Sequence, residues 1–387
     1  METMKLRITL PLLVTLALLL AAFSTGSPVF LTGALLLILL CGVSCLGVWL
    51  TGRTLVVSGE MSERVVQRGE DAELEISLSC RSLIPVAPLQ VELSPGPDQE
   101  ARTLTVNVSS GEEMHYALPC HAAHVGVSRP GVKAVVITDL FGLCSWRIEP
   151  KREGGELVVL PMPFEVDEQI YAAGESGSES MARASEDITS PADVRAYQEG
   201  DAMRKIHWKL SARKQELMVR RYEAPVMPDA LILLDCAEPP RQADGEETAD
   251  LRDALLETAA SIMAENIRTD HPARLPLLGK HPVELEKGMG MPAVLESLAH
   301  VDFSADEPFE RVLHLEMRRM RKVGSTVVIS ARINSRMVDA MSSMRKMGPY
   351  VRFYLVTFTP DEEPLAPMIS RLQNAGVEVC YVTPLSL

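Results

Sequence analysis

The distribution of apolar and polar residues changes three times along the chain. Residues 8–50 are almost free of charge and contain two apolar runs, residues 8–23 and residues 28–50. The second run is long enough to cross a bilayer as a helix, which takes about 20 residues, and the first run is shorter. We expect residues 1–52 to form a transmembrane helical hairpin that contacts the lipid bilayer through residues 6–50.

The basic residues that flank the apolar runs predict how this hairpin is oriented. Lys5 and Arg7 precede the runs, Arg53 follows them, and the short connecting segment has no basic residue. The positive-inside rule then predicts that both ends face the cytoplasm. A cleaved signal peptide is the alternative explanation for the first run, since its start is basic and small alanines follow it. The predicted localisation is the cell membrane, crossed twice, with the soluble domains in the cytoplasm.

Alternation of apolar and polar residues dominates residues 53–160. Short alternating segments separated by Gly, Pro, Ser and Asp predict β-strands, and several strands at such spacing are typical of a small antiparallel β-sandwich. The segments are AELEISLS, PLQVEL, RTLTVNV, KAVVIT and ELVVL. Near the end of this domain, Asp139 and Gly142 are interpreted as turn residues rather than catalytic residues.

Continuous apolar runs separated by helical periodicity extend over residues 229–387. Such runs are typical of strands buried on both faces, and they cover residues 230–235, 325–331, 351–358 and 377–382. The first helical pattern between them places on one face Leu251, Leu255, Ile262 and Met263. Strands that alternate with helices predict a mainly parallel sheet covered on both sides, and Gly376 is predicted to end the last helix. The whole chain is expected to be an α+β multidomain protein.

An acidic linker and a basic motif occupy residues 161–228, between the two folded domains. Residues 165–193 contain eight Asp and Glu and one basic residue, Arg183, which predicts a mobile connection. Residues 195–223 contain eight Lys and Arg against four Asp and Glu. The second of these stretches is therefore a local cationic segment in an acidic chain.

The basic motif is predicted to form a short helix followed by an edge strand. Asp201 is a favoured N-cap residue for this helix. One side of the helix carries Arg204, His207 and Ser211, and the apolar face carries Met203, Ile206 and Leu210. The segment LMVRRYE after the helix alternates as a strand does. The basic groups are therefore expected to project from rigid elements.

Two interpretations of the motif stay open. In the first, its charges pair with the chain's own carboxylates and join the two folded domains, with Trp208 in the core of the joint. In the second, Arg side chains and an aromatic anchor form a docking surface for an acidic partner, since such residues are enriched in interface hot spots. The candidate partner-binding residues are Arg195, Tyr197, Asp201, Arg204, His207, Trp208, Lys209, Arg213 and Arg220.

A hydrolase is a weaker alternative for the same motif. Asp201, His207 and Ser211 are the residue types of a hydrolytic triad, but their order and spacing match no known triad and no nucleophile elbow is present. We therefore expect no enzymatic activity from these residues.

The charge and the cysteines limit other classes of function. The formal net charge of −14 argues against general binding to nucleic acid, and the motif has few aromatic residues for single strands. The seven cysteines are dispersed without a CxxC pair, so no disulfide framework is expected. The cluster of Cys120, His121 and His124 is attributed to packing, because no second group of metal ligands accompanies it.

The spacing of residues in the motif resembles the signature of the domain of unknown function 58 family. The matching residues are Arg195, Tyr197, Gly200, Asp201, Arg204, Ile206, Trp208, Ser211, Ala212, Arg213, Leu217, Met218, Val219, Arg220, Tyr222 and Glu223. The order of membrane hairpin, β-rich unit, motif and α/β unit resembles that family over nearly the whole chain. The resemblance implies that the last unit is similar to a von Willebrand factor A domain. It also implies a MoxR-type AAA+ ATPase and a transglutaminase-like membrane protein as partners.

The von Willebrand A resemblance raises the question of a metal site. In that fold a D-x-S-x-S sequence after the first strand, with a Thr and an Asp from later loops, offers oxygen ligands that suit Mg²⁺. This chain has Asp235, but Ala237 and Pro239 occupy the Ser positions and Ala331 stands where an Asp often lies. We predict that no metal-dependent adhesion site forms, and we expect no cofactor.

These observations lead to one expectation about function. The chain is predicted to be a non-enzymatic, membrane-anchored cytoplasmic scaffold or adaptor that docks the MoxR-type ATPase through its basic motif. The hydrolase and a purely structural domain joint stay as alternatives.

Overall fold

The computed structural model divides the chain into two compact units, Met1–Leu160 and Pro161–Leu387. The architecture is mixed α+β, with an apolar N-terminal helix and several sheets, one of them mainly parallel. The predicted acidic linker lies almost entirely outside the described residues. Those residues are 3–6, 9–81, 88–94, 102–108, 111, 113–139, 141–150, 154–165, 193–197, 206–221, 229–240, 245–277, 283–285, 290–304, 307–319, 323–360 and 364–384.

Two apolar helices, α1 (Thr9–Thr25) and α2 (Pro28–Thr54), begin the first unit. By length and composition α2 is able to cross a membrane, whereas α1 is a shorter apolar helix. Pro28 suits the first position of α2, because the N–H that it lacks would have no partner within the helix. Large apolar side chains project into solvent from both helices, such as Leu12 at 59% exposure and Leu36 at 66%.

Short β-strands form the rest of the first unit. They are β1 (Thr3–Leu6), β2 (Leu55–Met61), β3 (Val65–Gln67), β4 (Asp71–Cys80), β5 (Leu89–Ser94), β6 (Thr103–Val106), β7 (Glu113–His121), β8 (Gly126–Ser128), β9 (Gly131–Thr138), β10 (Cys144–Ile148) and β11 (Leu157–Leu160). Two sheets are antiparallel, with the strand orders β1-β10-β9-β5-β6 and β2-β4-β7. A third sheet joins β3 to β11 in parallel and β11 to β8 in antiparallel orientation. The five strands predicted from alternation are confirmed.

One apolar core lies between the two antiparallel sheets. Strand β4 shows the cause, because its buried and exposed residues alternate along the whole strand. The buried side of β4 contributes Leu74, Ile76 and Leu78 to the same cluster that contains Val91 of β5 and Val135 of β9. Two sheets that share a core in this way have the arrangement of a β-sandwich.

The last part of α2 packs against this sandwich. Val48 is 4% exposed and belongs to the sandwich core. Gly52 lies so close to Trp146 that a Cβ atom at Gly52 would come within 2.3 Å of its ring. The Ser44 hydroxyl donates a hydrogen bond to the Asp139 carboxylate. The helix therefore continues from its apolar part into the fold of the first unit.

The second unit contains a two-stranded ribbon, a six-stranded sheet and six described helices. The strands are β12 (Asp193–Ala196), β13 (Met218–Arg221), β14 (Asp229–Leu234), β15 (Ala273–Leu275), β16 (Val283–Leu285), β17 (Val323–Ser330), β18 (Tyr350–Val356) and β19 (Glu378–Val382). The helices are α3 (Trp208–Lys214), α4 (Gly245–Arg268), α5 (Met291–Ala299), α6 (Phe309–Met317), α7 (Ser335–Lys346) and α8 (Ala366–Asn374). The six-stranded sheet has the order β16-β15-β14-β17-β18-β19 and is parallel except for β16.

The central strands of this sheet are buried on both faces, as their continuous apolar runs predict. Residues 231–234 of β14 are each at most 2% exposed. Helices α6, α7 and α8 share one core cluster with β14, β17 and β18. Helix α4 contacts the same strands but contributes no residue to that cluster, which places it on the other face. The parallel sheet covered on both sides is confirmed, as is the buried face of α4.

Some elements of the second unit were not predicted from the sequence. Strands β15 and β16 have three residues each, and α5 has nine, so their patterns are too short to be distinctive. Gly376 follows α8 with φ +80, the left-handed conformation that ends a helix at little cost for glycine. Its predicted role is confirmed.

Replacement of Asp139 by Ala is expected to lower the free energy of unfolding by about 1–3 kcal/mol at neutral pH. The carboxylate accepts hydrogen bonds from the N–H of Cys144 and from the Ser44 hydroxyl. Burial alone raises the pKa of Asp139, but these hydrogen bonds outweigh burial and hold the pKa below its ordinary value of 3.8. A pKa lowered by folding stabilises the protein above the ordinary value, and this stabilisation is lost as the pH falls through the folded pKa.

Denaturant unfolding of the detergent-solubilised chain measures this effect. The difference between wild type and Asp139→Ala should be constant near neutral pH and should shrink below pH 3.8. An equal difference at neutral and at acid pH would contradict the assignment of Asp139 as an ionised acceptor.

Candidate functional site

The basic motif folds as a ribbon with a short helix beside it. Strands β12 and β13 pair in antiparallel orientation, with Arg195 opposite Val219. Ile206 forms a bridge with the same Val219, and the N–H of His207 donates to the carbonyl of Met218. Ile206, Met218 and Val219 are all buried. Ile206 thus pairs with β13, and α3 begins at Trp208.

This geometry corrects the predicted start of the helix. We expected Asp201 as the N-cap and Ile206 within the helix, but His207 is the N-cap, and its Nδ1 accepts a hydrogen bond from the N–H of Leu210. Pairing of Ile206 with β13 keeps that residue in extended conformation, where its β-branched side chain is buried. Asp201 itself lies outside the described residues.

Ser211 is a structural residue of this motif. Its side chain is buried, and its hydroxyl donates to the carbonyl of His207 at 3.0 Å and accepts from the N–H of Met218 at 2.8 Å. Ser211 lies one turn after His207, as predicted, but its hydroxyl faces β13. A hydroxyl held between two backbone groups is not directed at a substrate, so these contacts argue against Ser211 as a nucleophile.

Five exposed residues of α3 and of the segment that follows it are called the basic surface: Trp208, Lys209, Arg213, Lys214 and Leu217. Trp208 is 65% exposed and Leu217 is 44% exposed. Among the residues that the structure describes, no carboxylate forms an ion pair with Lys209, Arg213 or Lys214. Trp208 therefore does not belong to the core of the second unit.

The other predicted partner-binding residues are not part of the basic surface. Tyr197 is partly buried, and its N–H donates to the carbonyl of Leu217. Arg195 and Arg220 lie on β12 and β13, and their side chains are outside the described part of the structure. Asp201 and Arg204 lie outside it entirely. The basic surface is therefore smaller than the predicted set, and it adds Lys214 and Leu217.

A second polar group lies at the carboxyl ends of β14 and β17. The strand order reverses between these two strands, since β15 and β16 lie on one side of β14 and the later strands lie on the other. Ligands of open α/β sheets bind outside the carboxyl ends of strands at such a switch point. Asp235 follows β14 and is 2% exposed.

The Asp235 carboxylate is saturated by donors from its own unit. Arg332 donates through Nε at 2.9 Å and through a terminal nitrogen at 3.2 Å, one to each carboxylate oxygen. The Ser330 hydroxyl donates at 2.7 Å and the N–H of Ala237 donates at 3.1 Å. The hydrogen bond to Asp235 raises the pKa of Arg332, although burial acts in the opposite direction. We call Asp235, Ser330 and Arg332 the switch-point cluster.

The switch-point cluster does not fit a divalent metal ion. Both oxygens of Asp235 already accept a guanidinium, and Ala237, Pro239 and Ala331 offer no side-chain oxygen. Sequence reasoning found Asp235 but missed Ser330 and Arg332, because Arg332 follows the strand in a segment without a distinctive pattern. Arg332 instead places a cation against Asp235.

Ser211→Ala should lower the free energy of unfolding by about 1–3 kcal/mol, because the N–H of Met218 would stay buried without an acceptor. The matched control is Ser343→Ala on α7, where an exposed hydroxyl donates to the carbonyl of Asp339; a change within about 0.5 kcal/mol is expected there. Thermal unfolding of the full chain measures both. Equal, small effects of the two substitutions would contradict the structural role of Ser211.

Arg332→Ser should destabilise the chain by about 3 kcal/mol, because a buried carboxylate loses its cation. The variant should also gain stabilisation by Mg²⁺, since Asp235, Ser330 and the new Ser would offer oxygen ligands. The melting temperatures of wild type and of the double variant Asp235→Ala/Arg332→Ser should not change when Mg²⁺ is added. The measurement is the melting temperature with and without Mg²⁺. A wild-type response that Asp235→Ala abolishes would show that a metal displaces Arg332.

Comparisons with known proteins match a part of the chain that contains both the basic surface and the switch-point cluster. The family model described as "Protein of unknown function DUF58" matches residues 193–355. The uncharacterized protein YeaD of Bacillus subtilis (strain 168) is 25% identical over 171 residues, which cover 43% of this chain and 40% of that protein. This match therefore spans less than half of the relative's length.

Solved structures add no argument about the fold. The CARDB domain of a Pyrococcus furiosus protein covers 25% of this chain and 94% of its own, with 16% identity and a TM-score of 0.19. An alkylpurine DNA glycosylase from Pseudomonas fluorescens covers 25% of this chain and 30% of its own, with 17% identity and a TM-score of 0.17.

The family model matches residues 193–355, which contain the basic surface and the switch-point cluster. Both therefore belong to the part of the chain that is similar to the family of unknown function DUF58.

Proposed function

We propose that the chain is a non-enzymatic, membrane-anchored scaffold that docks an acidic partner protein through the basic surface. The observation that supports this proposal is the 65% exposure of Trp208 on the short helix that also carries Lys209 and Arg213 and is bonded to the ribbon. A large aromatic side chain and cations on a rigid support are the features of an interface hot spot. Rigid support matters because less side-chain and loop entropy is lost on binding.

The charge of the basic surface, rather than that of the whole chain, favours an acidic partner. The formal net charge is −14, so an approaching anionic protein is repelled by most of the surface and attracted locally by the basic surface. This local attraction favours partners with a negative patch, and it also favours the orientation in which that patch faces the basic surface. The proposed partner is a MoxR-type AAA+ ATPase, assembled with a transglutaminase-like membrane protein, as the resemblance to the domain of unknown function 58 family implies.

The proposed membrane anchor is a two-pass hairpin formed by α1 and α2. Helix α2 is long and apolar enough for a span. Strand β1 pairs with β10 and strand β2 pairs with β4, so the chain on both sides of α1 and α2 enters sheets of the first unit. This arrangement favours an even number of crossings. Flanking Lys5, Arg7 and Arg53 favour the cytoplasm for that side.

The proposed relation of the second unit to a von Willebrand A domain is supported by its strand order. In chain order the six strands lie as 3-2-1-4-5-6 across the sheet, with the third strand antiparallel. The switch-point cluster departs from a metal-dependent site, since Arg332 provides the cation. A docking function for this unit would therefore be independent of divalent ions.

The alternatives are less well supported. The hydrolase that uses Asp201, His207 and Ser211 would need a free hydroxyl, and Ser211 is engaged with the backbone on both sides. A purely structural joint would need its cations paired and Trp208 covered. Within the described part of the second unit, neither the pairing nor the cover is present.

Lys209→Glu/Arg213→Glu should weaken capture of the purified ATPase by more than tenfold, about 1.4 kcal/mol or more, with little change in melting temperature. The matched control is Arg318→Glu/Lys346→Glu, a second pair of exposed cations in the same unit, and it should bind as wild type does. The measurement is equilibrium binding of the detergent-solubilised full chain. Unchanged binding by a folded Lys209→Glu/Arg213→Glu variant would remove the docking proposal. A large fall in melting temperature would favour the structural joint instead.

A further inference from the structure

A tight turn of the first unit is fixed beside α2. Asp139 holds this turn: its Oδ1 accepts from the N–H of Cys144 at 2.9 Å and its carbonyl accepts from the N–H of Gly142. Gly142 has φ +68, which a residue with a side chain rarely adopts. The Ser44 hydroxyl of α2 donates to Asp139, so the turn lies next to the helix at Ser44. The turn therefore has one defined position relative to α2.

Phe141 lies in this turn and is 60% exposed. An apolar ring held in water by a fixed turn is unfavourable unless something covers it. A flexible loop would allow the ring to fold back onto the sandwich, but the hydrogen bonds to Asp139 limit that movement. The exposure of Phe141 is therefore a property of the fold and calls for an apolar occupant.

Helix α2 has two different faces along its last three turns. One face packs against the sandwich through Val48 and Gly52. The opposite face exposes Leu46 at 51%, Trp49 at 38% and Leu50 at 37%. These exposed residues continue the apolar surface of the earlier part of α2 toward the sandwich. The turn that carries Phe141 is attached to α2 at Ser44, one helical turn before Val48.

The length of α2 places the membrane boundary in the same region. A helix of 27 residues is about 40 Å long, whereas the hydrocarbon part of a bilayer is about 30 Å thick. If the span starts at Pro28, it ends about 20 residues later, close to Val48. The Arg53 guanidinium lies 4.3 Å from the centre of the Trp49 ring, and Trp and Arg are residues that favour the membrane interface. Ser44 and the turn beside it then lie at the inner edge of the hydrocarbon.

We propose that Phe141 inserts into the lipid bilayer next to α2 and forms a second, peripheral contact between the first unit and the membrane. This inference depends on the proposed membrane anchor. The proposed occupant is lipid, because Ser44, to which the turn is hydrogen-bonded, lies within the about 20 residues that would span the bilayer from Pro28. A protein partner at this position would have to displace the bilayer that α2 crosses.

Photo-crosslinking in lipid nanodiscs tests the proposal with the full-length chain. The probe is p-benzoylphenylalanine in place of Phe141, which keeps an aromatic ring at an exposed position. The positive control carries the probe in place of Leu36 of α2, and the negative control carries it in place of Val65 of β3, which is 50% exposed in the same unit. Mass spectrometry of the peptides measures adducts with the mass of phosphatidylglycerol or phosphatidylethanolamine. We expect lipid adducts at positions 36 and 141, several-fold above the level at position 65.

The controls separate failure of this inference from failure of the membrane proposal. Adducts at position 36 with only the level of position 65 at position 141 would overturn the insertion of Phe141 and leave the anchor intact. An absence of adducts at both positions 36 and 141 would overturn the anchor and the inference together. An unchanged melting temperature of each labelled chain establishes that the first unit is folded in all three samples.

Discussion

Removal of polar groups from water is the constraint that organises the functional parts of this chain. A buried donor or acceptor without a partner is costly, so each one must find its partner in another element. Asp139 meets Ser44, Ser211 meets Met218, and Asp235 meets Arg332. Each contact joins segments that are distant in sequence or differ in type. The positions of the turn beside α2, the short helix α3 and the switch-point cluster follow from these three partnerships.

The sequence predicted the elements whose pattern is long and uniform. Strand β4 alternates over ten residues, and β14, β17, β18 and β19 carry continuous apolar runs. The sequence therefore predicted both the half-buried and the fully buried strands. Strands β15 and β16 were missed because three residues do not establish a period. The helix of the basic motif was predicted to start too early, since local preference at Asp201 says nothing about pairing of Ile206 with Val219. Tertiary pairing decided that boundary.

The candidate site was only partly predictable for the same reason. Composition identified a cationic segment and a conspicuous Trp208, but it could not tell which side chains face solvent. The structure assigns Trp208 to the exterior and Ser211 to the interior, although they are only three residues apart. Arg332 was not predicted, because its partner Asp235 lies 97 residues earlier in the chain. Contacts of that separation depend on the sheet topology, which sequence patterns do not specify in detail.

The two cationic groups of the second unit differ in what they are able to attract. Arg332 is paired with a buried carboxylate, so salt in solution screens this pair less than it screens fully exposed charges. Lys209 and Arg213 are exposed, so their attraction to a partner acts through water and is screened by salt. Long-range attraction therefore belongs to the basic surface. The switch-point cluster, by contrast, fixes β14 against β17 and provides a local donor that does not depend on metal supply.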